Sequence, residues 1–199
     1  MIAEAVRRSA LADYAGRFTA LTAASGGELS IRELPLVSQL NLRADPKDTV
    51  VLHRLAAALG VTLPVEPITV SSHEDRRALW LGPDEWLVVG PVGQEAAIEL
   101  ELRNGLSGAL GSIVDVSANR TVLEIGGPKA LELLAHGVPI DLDARSFAPG
   151  RCAQTLLAKA QVIIETRDES TFHLFVRASF ASYVADWLLD AAGDPNLRS

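Results

Sequence analysis

The sequence predicts an α+β protein of two halves, each built like a ferredoxin-like split βαβ unit. Three observations carry this. Short apolar runs of strand length alternate with amphipathic runs of helical spacing, the first half reads strand, helix, two strands, helix, strand, and the same kinds of element follow again after residue 118. With 199 residues, 48% hydrophobic and 22% charged, the chain has enough apolar surface for a real core, which excludes disorder as its main state.

Residues 1–28 end in the small-residue stretch Thr22 to Gly27 and are expected to form an N-terminal arm or linker. The first α+β half is expected over 29–118. Leu34, Leu36, Leu40 and Leu42 alternate loosely, which predicts a strand near 36–43 after the interruption at Pro35. Asp45 before Pro46 reads as the cap of a helix carrying Val50, Val51, Leu55, Ala58 and Leu59, with Gly60 ending it. Arg77 to Leu81 and Trp86 to Gly90 flank the turn residues Gly82 to Glu85, a hairpin. A helix over 93–104, with Ala96, Ala97, Leu100 and Leu102 as its apolar positions, and a strand from Ser112 to Ser117 complete this half.

The second half, 119–199, is expected to open with a strand from Arg120 to Ile125 and a helix entered at Gly126-Gly127-Pro128, with Leu131, Leu134 and Ala135 on its apolar face. Two strands within 151–166, another from Thr171 to Val176, and a helix from about Ser179 that buries Tyr183, Val184, Trp187 and Leu188 follow. The two halves form one structural unit.

Composition removes several classes of function. Eighteen Lys and Arg against 25 Asp and Glu give a net charge of -7, which offers no basic field for nucleic acid. Fifteen of the basic residues are arginine, a bias typical of GC-rich bacterial coding. The single Cys152 permits no internal disulfide and suits a reducing compartment. The first residues make no signal peptide and no run reaches the length of a spanning helix, so a cytoplasmic protein is expected. A mean hydropathy of +0.20 would fit apolar surface kept for a partner, or simply an Ala- and Leu-rich core.

Motifs for chemistry are sparse. No dinucleotide fingerprint and no P-loop is present, and Gly126-Gly127 reads as a tight strand-to-helix connection. His53, His73, His136 and His173 lack metal-ligand spacing, and each reads as a surface or supporting residue. Cys152 reads as a buried, inert thiol, Asp84 and Glu85 as turn residues, and His73 to Arg77 as a solvated charge run. Asp115 and Ser117, two apart on a strand, share a face and can cap the next element or bind a ligand, capping being the stronger reading. No catalytic, cofactor-binding or metal-ligating residue is assigned.

Five stretches go further: Trp80 to Val89 (WLGPDEWLVV), Val114 to Thr121 (VDVSANRT), Leu123 to Leu131 (LEIGGPKAL), Gly137 to Leu142 (GVPIDL) and Phe147 to Thr155 (FAPGRCAQT). Together they resemble the gamma subunit family of bacterial heterotetrameric sarcosine oxidase over roughly residues 36–192. The resemblance implies a fold similar to the folate-binding core of aminomethyltransferase, the T-protein. Asp115, Ser117, Gly127, Pro128 and Ala130 match the T-protein pattern, with Lys129 where aspartate is usual, and Ile140-Asp141 and Pro149-Gly150 resemble its downstream elements. Ala160 to Glu165 stands where the transferase has Gly-Gly-Ile-x-Asp-Asp, so its first aspartate becomes Ile164, and Arg177 stands at its folate-contacting asparagine. An isoleucine cannot stabilise a developing cation, so aminomethyl transfer by this chain is not expected.

The resemblance therefore implies a non-catalytic gamma subunit. FAD, FMN, NAD, tetrahydrofolate and zinc are expected on the partner alpha, beta and delta subunits and none in this chain. The alternative is a stand-alone folate-binding protein or transferase using a pocket between the halves through Asp115, Glu165 and Arg177. An unrelated interaction module sharing only the fold is a third reading.

Overall fold

A computed structural model describes residues 8–194. After a short 3-10 turn the chain forms α1 (Ala15–Ala24), β1 (Ser30–Leu34), β2 (Ser38–Ala44), α2 (Thr49–Leu59), β3 (Val70–His73), β4 (Arg76–Gly82), β5 (Glu85–Gly90), α3 (Glu95–Leu106) and β6 (Gly111–Asp115). It continues with β7 (Arg120–Gly126), α4 (Ala130–Ala135), β8 (Cys152–Leu157), β9 (Ala160–Thr166), β10 (Thr171–Arg177) and, after a second 3-10 turn, α5 (Ala181–Ala191).

The strands form two antiparallel sheets, ordered β3-β4-β5-β2-β6 and β1-β7-β10-β9-β8. In the first, β2-α2-β4-β5-α3-β6 is the expected split βαβ unit, widened by β3 beside β4. The second sheet repeats the plan with one exchange. Its chain β7-α4-β9-β10-α5 lacks a last strand, and β1 from the beginning of the protein fills that place beside β7, while β8 widens the sheet beside β9. Both added hairpins close with two residues, Glu74-Asp75 and Ala158-Lys159, the first of each at positive φ (50° and 52°), which matches the twist of the strands.

This topology changes the expected partition. Residues 15–24 are a helix, where an arm or linker was expected, and Leu11 and Phe18 are buried in the core of the second sheet. β1 lies within the stretch assigned to the first half but pairs with β7 from Ser30↔Gly126 to Leu34↔Val122. The alternation before Pro35 is too short to reveal this strand, and its register is set by β7.

Helices lie on the outside and the sheets face each other. Val51, Leu55, Leu59, Ile98 and Leu102 from α2 and α3 pack with Leu40, Leu42, Trp86 and Val88 of the first sheet. Phe18, Leu133, Leu134, Val184 and Leu188 pack with Ile31, Leu123, Ile164 and Leu174 of the second. Between the sheets lie Leu79, Leu87, Val89, Val122, Cys152, Ile163 and Phe175. Because side chains alternate along each strand, every central strand contributes to a helix-side core and to the inner interface at once. Backbone bonds from Val70 N–H to Gly150 O (2.8 Å) and from Cys152 N–H to Ile68 O (2.9 Å) tie the halves together.

Three local expectations are adjusted. The cap of α2 is Asp48, whose carboxylate accepts the Val51 N–H at 3.0 Å, while Asp45 accepts the Lys47 N–H in a preceding turn; Gly60 ends the helix at φ 74°. The buried face of α3 is Ile98, Leu102, Gly105 and Leu106, with Leu100 exposed, and that of α4 is Ala130, Leu133 and Leu134. In α5, Val184 and Leu188 are buried together with Ala181 and Ala185, whereas Tyr183 is 40% exposed.

Candidate functional site

The polar chemistry of this protein concentrates where the two sheets face each other. At one side of that interface runs a chain of charges. Glu165, fully buried on β9, accepts a hydrogen bond from Arg167 Nη1 at 2.7 Å and lies 3.2 Å from Nε of Arg77, which reaches across from β4. On β10, register-paired with Glu165, stands His173. Its Nδ1 is 3.7 Å from Glu165 and its Nε2 is 3.1 Å from Glu124 of β7, which in turn accepts from Arg32 of β1 at 2.5 Å. Arg77 Nε, Glu165 Oε2 and His173 Nδ1 are buried without an aligned hydrogen bond among the described residues, so attraction here is chiefly coulombic.

Burial sets the proton chemistry of this chain. Desolvation pushes the His173 pKa down, against the pull of Glu165 and Glu124 and with the help of the Arg77 and Arg167 charges, so the imidazole is held neutral. Desolvation also lowers Arg77, opposed by Glu165. For Glu124, burial acts upward, but hydrogen bonds from Arg32 and His173 outweigh it and hold the carboxyl below its ordinary value. The network spans β1, β4, β7, β9 and β10 and so joins both sheets. Its chemistry is that of a structural clamp, since its central carboxylate has no access to solvent.

The other side of the second sheet's inner face is open. A cavity of about 380 Å³ is lined there by residues of β7 to β10 alone, among them Arg120, Gln154, Gln161, Ile163, Phe175 and Arg177. Arg120 and Arg177 are direct register partners and project from the same face. Burial first, and then the charge of Arg177, lowers the Arg120 pKa, with Glu85 acting the other way.

The positions singled out in the sequence fall in separate places. Asp115 and Ser117 form a cap: Ser117 Oγ accepts the Gln39 N–H at 2.9 Å and donates to Asp115 at 2.6 Å, which closes the end of β6 on β2. Asp115, Glu165 and Arg177 are not brought together; the cavity at Arg177 includes neither carboxylate. Ile164 is fully buried under the helices opposite Leu174 and faces away from that cavity.

Cys152 is buried, and desolvation, aided by Glu165, pushes its thiol up to about 12, so no thiolate is available. Asp84 binds Arg43 through both oxygens (2.9 and 2.8 Å), and Glu85 accepts from Asn41 at 2.7 Å. At the Gly126-Gly127 turn, Gly127 N–H donates to Ser170 O and Lys129 N–H to Glu28 O, so these amides are taken internally. Among the described residues no group of three His, Cys, Asp or Glu could hold a metal ion. The run His73 to Arg77 is a hairpin and only partly solvated. Arg76 pairs with Glu101 at 2.5 Å on the helix side, and Arg77 turns inward to the clamp.

Comparison with known proteins agrees with this geometry. The sarcosine oxidase, gamma subunit family matches residues 43–194. The sarcosine oxidase subunit gamma of Corynebacterium sp. (strain P-1) is 36% identical over 171 residues, 85% of this chain and 83% of the relative. A chain of the heterotetrameric sarcosine oxidase from Corynebacterium sp. U-96 superposes with a TM-score of 0.87 at 34% identity, covering 98% of this chain and 97% of that one. The glycine cleavage system aminomethyltransferase T from Bartonella henselae shares the fold, with a TM-score of 0.61 at 15% identity over 86% of this chain and 50% of that one. The chain belongs to the sarcosine oxidase gamma subunit family.

Proposed function

We propose that this protein is a non-catalytic gamma subunit of a cytoplasmic heterotetrameric sarcosine oxidase. It supports flavin-containing subunits that oxidatively demethylate sarcosine to glycine, pass the one-carbon unit to tetrahydrofolate and release hydrogen peroxide. Its partners are the alpha, beta and delta subunits, which carry FAD, FMN, NAD, tetrahydrofolate and zinc between them. The observation that carries this reading is the full-length agreement with a chain of a heterotetrameric sarcosine oxidase, at a TM-score of 0.87.

The inner face supports it. In the alignment implied by the family resemblance, the position of the transferase aspartate is Ile164, sealed in the helix-side core, and the adjacent Glu165 is neutralised by Arg77 and Arg167. Neither residue can reach a substrate. On this reading the chain adds buried interface, which stabilises an assembly by mass action.

The test is affinity purification of the full chain from its native cells, recording co-purifying masses, flavin absorbance and sarcosine-dependent peroxide in one sample. A yellow complex with two larger chains and a small one is expected. A colourless solitary chain that binds a reduced folate at micromolar strength would replace this reading with the stand-alone folate protein.

A further inference from the structure

The Arg120–Arg177 pair has no internal explanation. The two guanidinium groups sit at the last register position of β7 and β10 on the same face, where like charges repel across the strands. Among the described residues neither side chain makes an ion pair or hydrogen bond. The carboxylate whose charge acts on Arg120, that of Glu85, accepts a hydrogen bond from Asn41 instead. Elsewhere the protein pairs its partly buried arginines with carboxylates: Arg76 with Glu101, Arg77 and Arg167 with Glu165. Here Arg120 is partly buried, and the charge of Glu85 does not offset its desolvation.

Both residues line the cavity of about 380 Å³, the size of a small-molecule site. Its base is apolar, from Ile163 and Phe175, and Gln154 and Gln161 add amides at the rim. Two convergent guanidinium groups above an apolar floor suit a flat or aliphatic body that ends in a carboxylate, which each fork can bind through two oxygens.

We propose that Arg120 and Arg177 form a carboxylate-binding site on the open inner face of the second sheet. Occupied by a free small molecule it stands apart from the proposed subunit role, and occupied by a partner's side chain it rests on that role. The carboxylate comes either from a free small molecule or from a partner subunit's acidic side chain.

Benzoate is the probe, with isosteric, uncharged benzamide as the control, followed by saturation-transfer NMR at low ionic strength on the full chain and on the assembled enzyme. Benzoate is expected to bind at least tenfold more tightly than benzamide, and R177Q, at an exposed position, is expected to weaken benzoate at least tenfold. Binding to both forms identifies a free ligand, and binding to the full chain but not to the assembly identifies a partner's carboxylate. Equal binding of benzoate and benzamide, no loss in R177Q, or no binding to either form overturns the proposal. A second readout is independent of any probe: relieving the repulsion should raise the thermal midpoint of R177Q in ligand-free buffer, and a lowered midpoint would reveal an internal partner and also overturn it.

Discussion

Glu165 decides the energetics of the clamp. It is the one carboxylate between Arg77 and Arg167 and beside a neutral His173, so its removal leaves two guanidinium groups facing each other in a desolvated interface. Glu165→Gln should cost about 3 kcal/mol in urea denaturation, the loss typical of breaking a buried pair from one side. Protonation gives a second handle. His173 is held below its ordinary pKa of 6.5, so the unfolded chain takes up a proton that the fold refuses, and stability falls as the pH drops below about 6.5. Glu124, also held low, adds a loss of the same sign below its ordinary value of 4.5. Midpoints measured between pH 7 and 5 should therefore decline, and His173→Gln should flatten that decline. Little of this was legible in the sequence. Arg77 sits in a run of charges that reads as solvated, and what buries it is Glu165, far downstream, on a strand whose facing sheet no local pattern announces. Cys152 and the Asp115-Ser117 cap were legible, because burial of a lone thiol and capping by a short side chain are local preferences.

At the scale of elements, the strands and helices with clean periodicity came through the sequence well. The β4–β5 hairpin and the α2 helix needed only turn chemistry and spacing. What could not be read were elements whose identity depends on a distant partner: α1 with its weakly patterned face, and β1, a five-residue strand that completes the other half's sheet. Two substitutions test these placements. Phe18 is buried against the second sheet's core, so Phe18→Ala should cost about 3–5 kcal/mol, whereas in a solvated arm it would cost nothing measurable. Gly127 turns at φ 107° with the Glu28 carbonyl oxygen 2.4 Å from where a Cβ would sit. Gly127→Ala should therefore lose at least about 1–3 kcal/mol from backbone strain alone, and the contact with β1's lead-in makes that a minimum. Both are read from denaturation midpoints of the full chain.

The whole molecule has an aminomethyltransferase-like fold whose two sheets are joined by a charge clamp. The proposed role, support of an oxidase through contact alone, separates assembly from chemistry. The most direct measurement is to produce the other sarcosine oxidase subunits with and without this chain, and to compare the yield and thermal midpoint of flavin-loaded complex with sarcosine turnover per bound flavin. The account predicts that omission lowers yield and midpoint while turnover per flavin in whatever assembles stays within about twofold, a barrier change of well under 1 kcal/mol. A complex that assembles equally well without the chain, or one that stays intact but loses turnover per flavin, would contradict it.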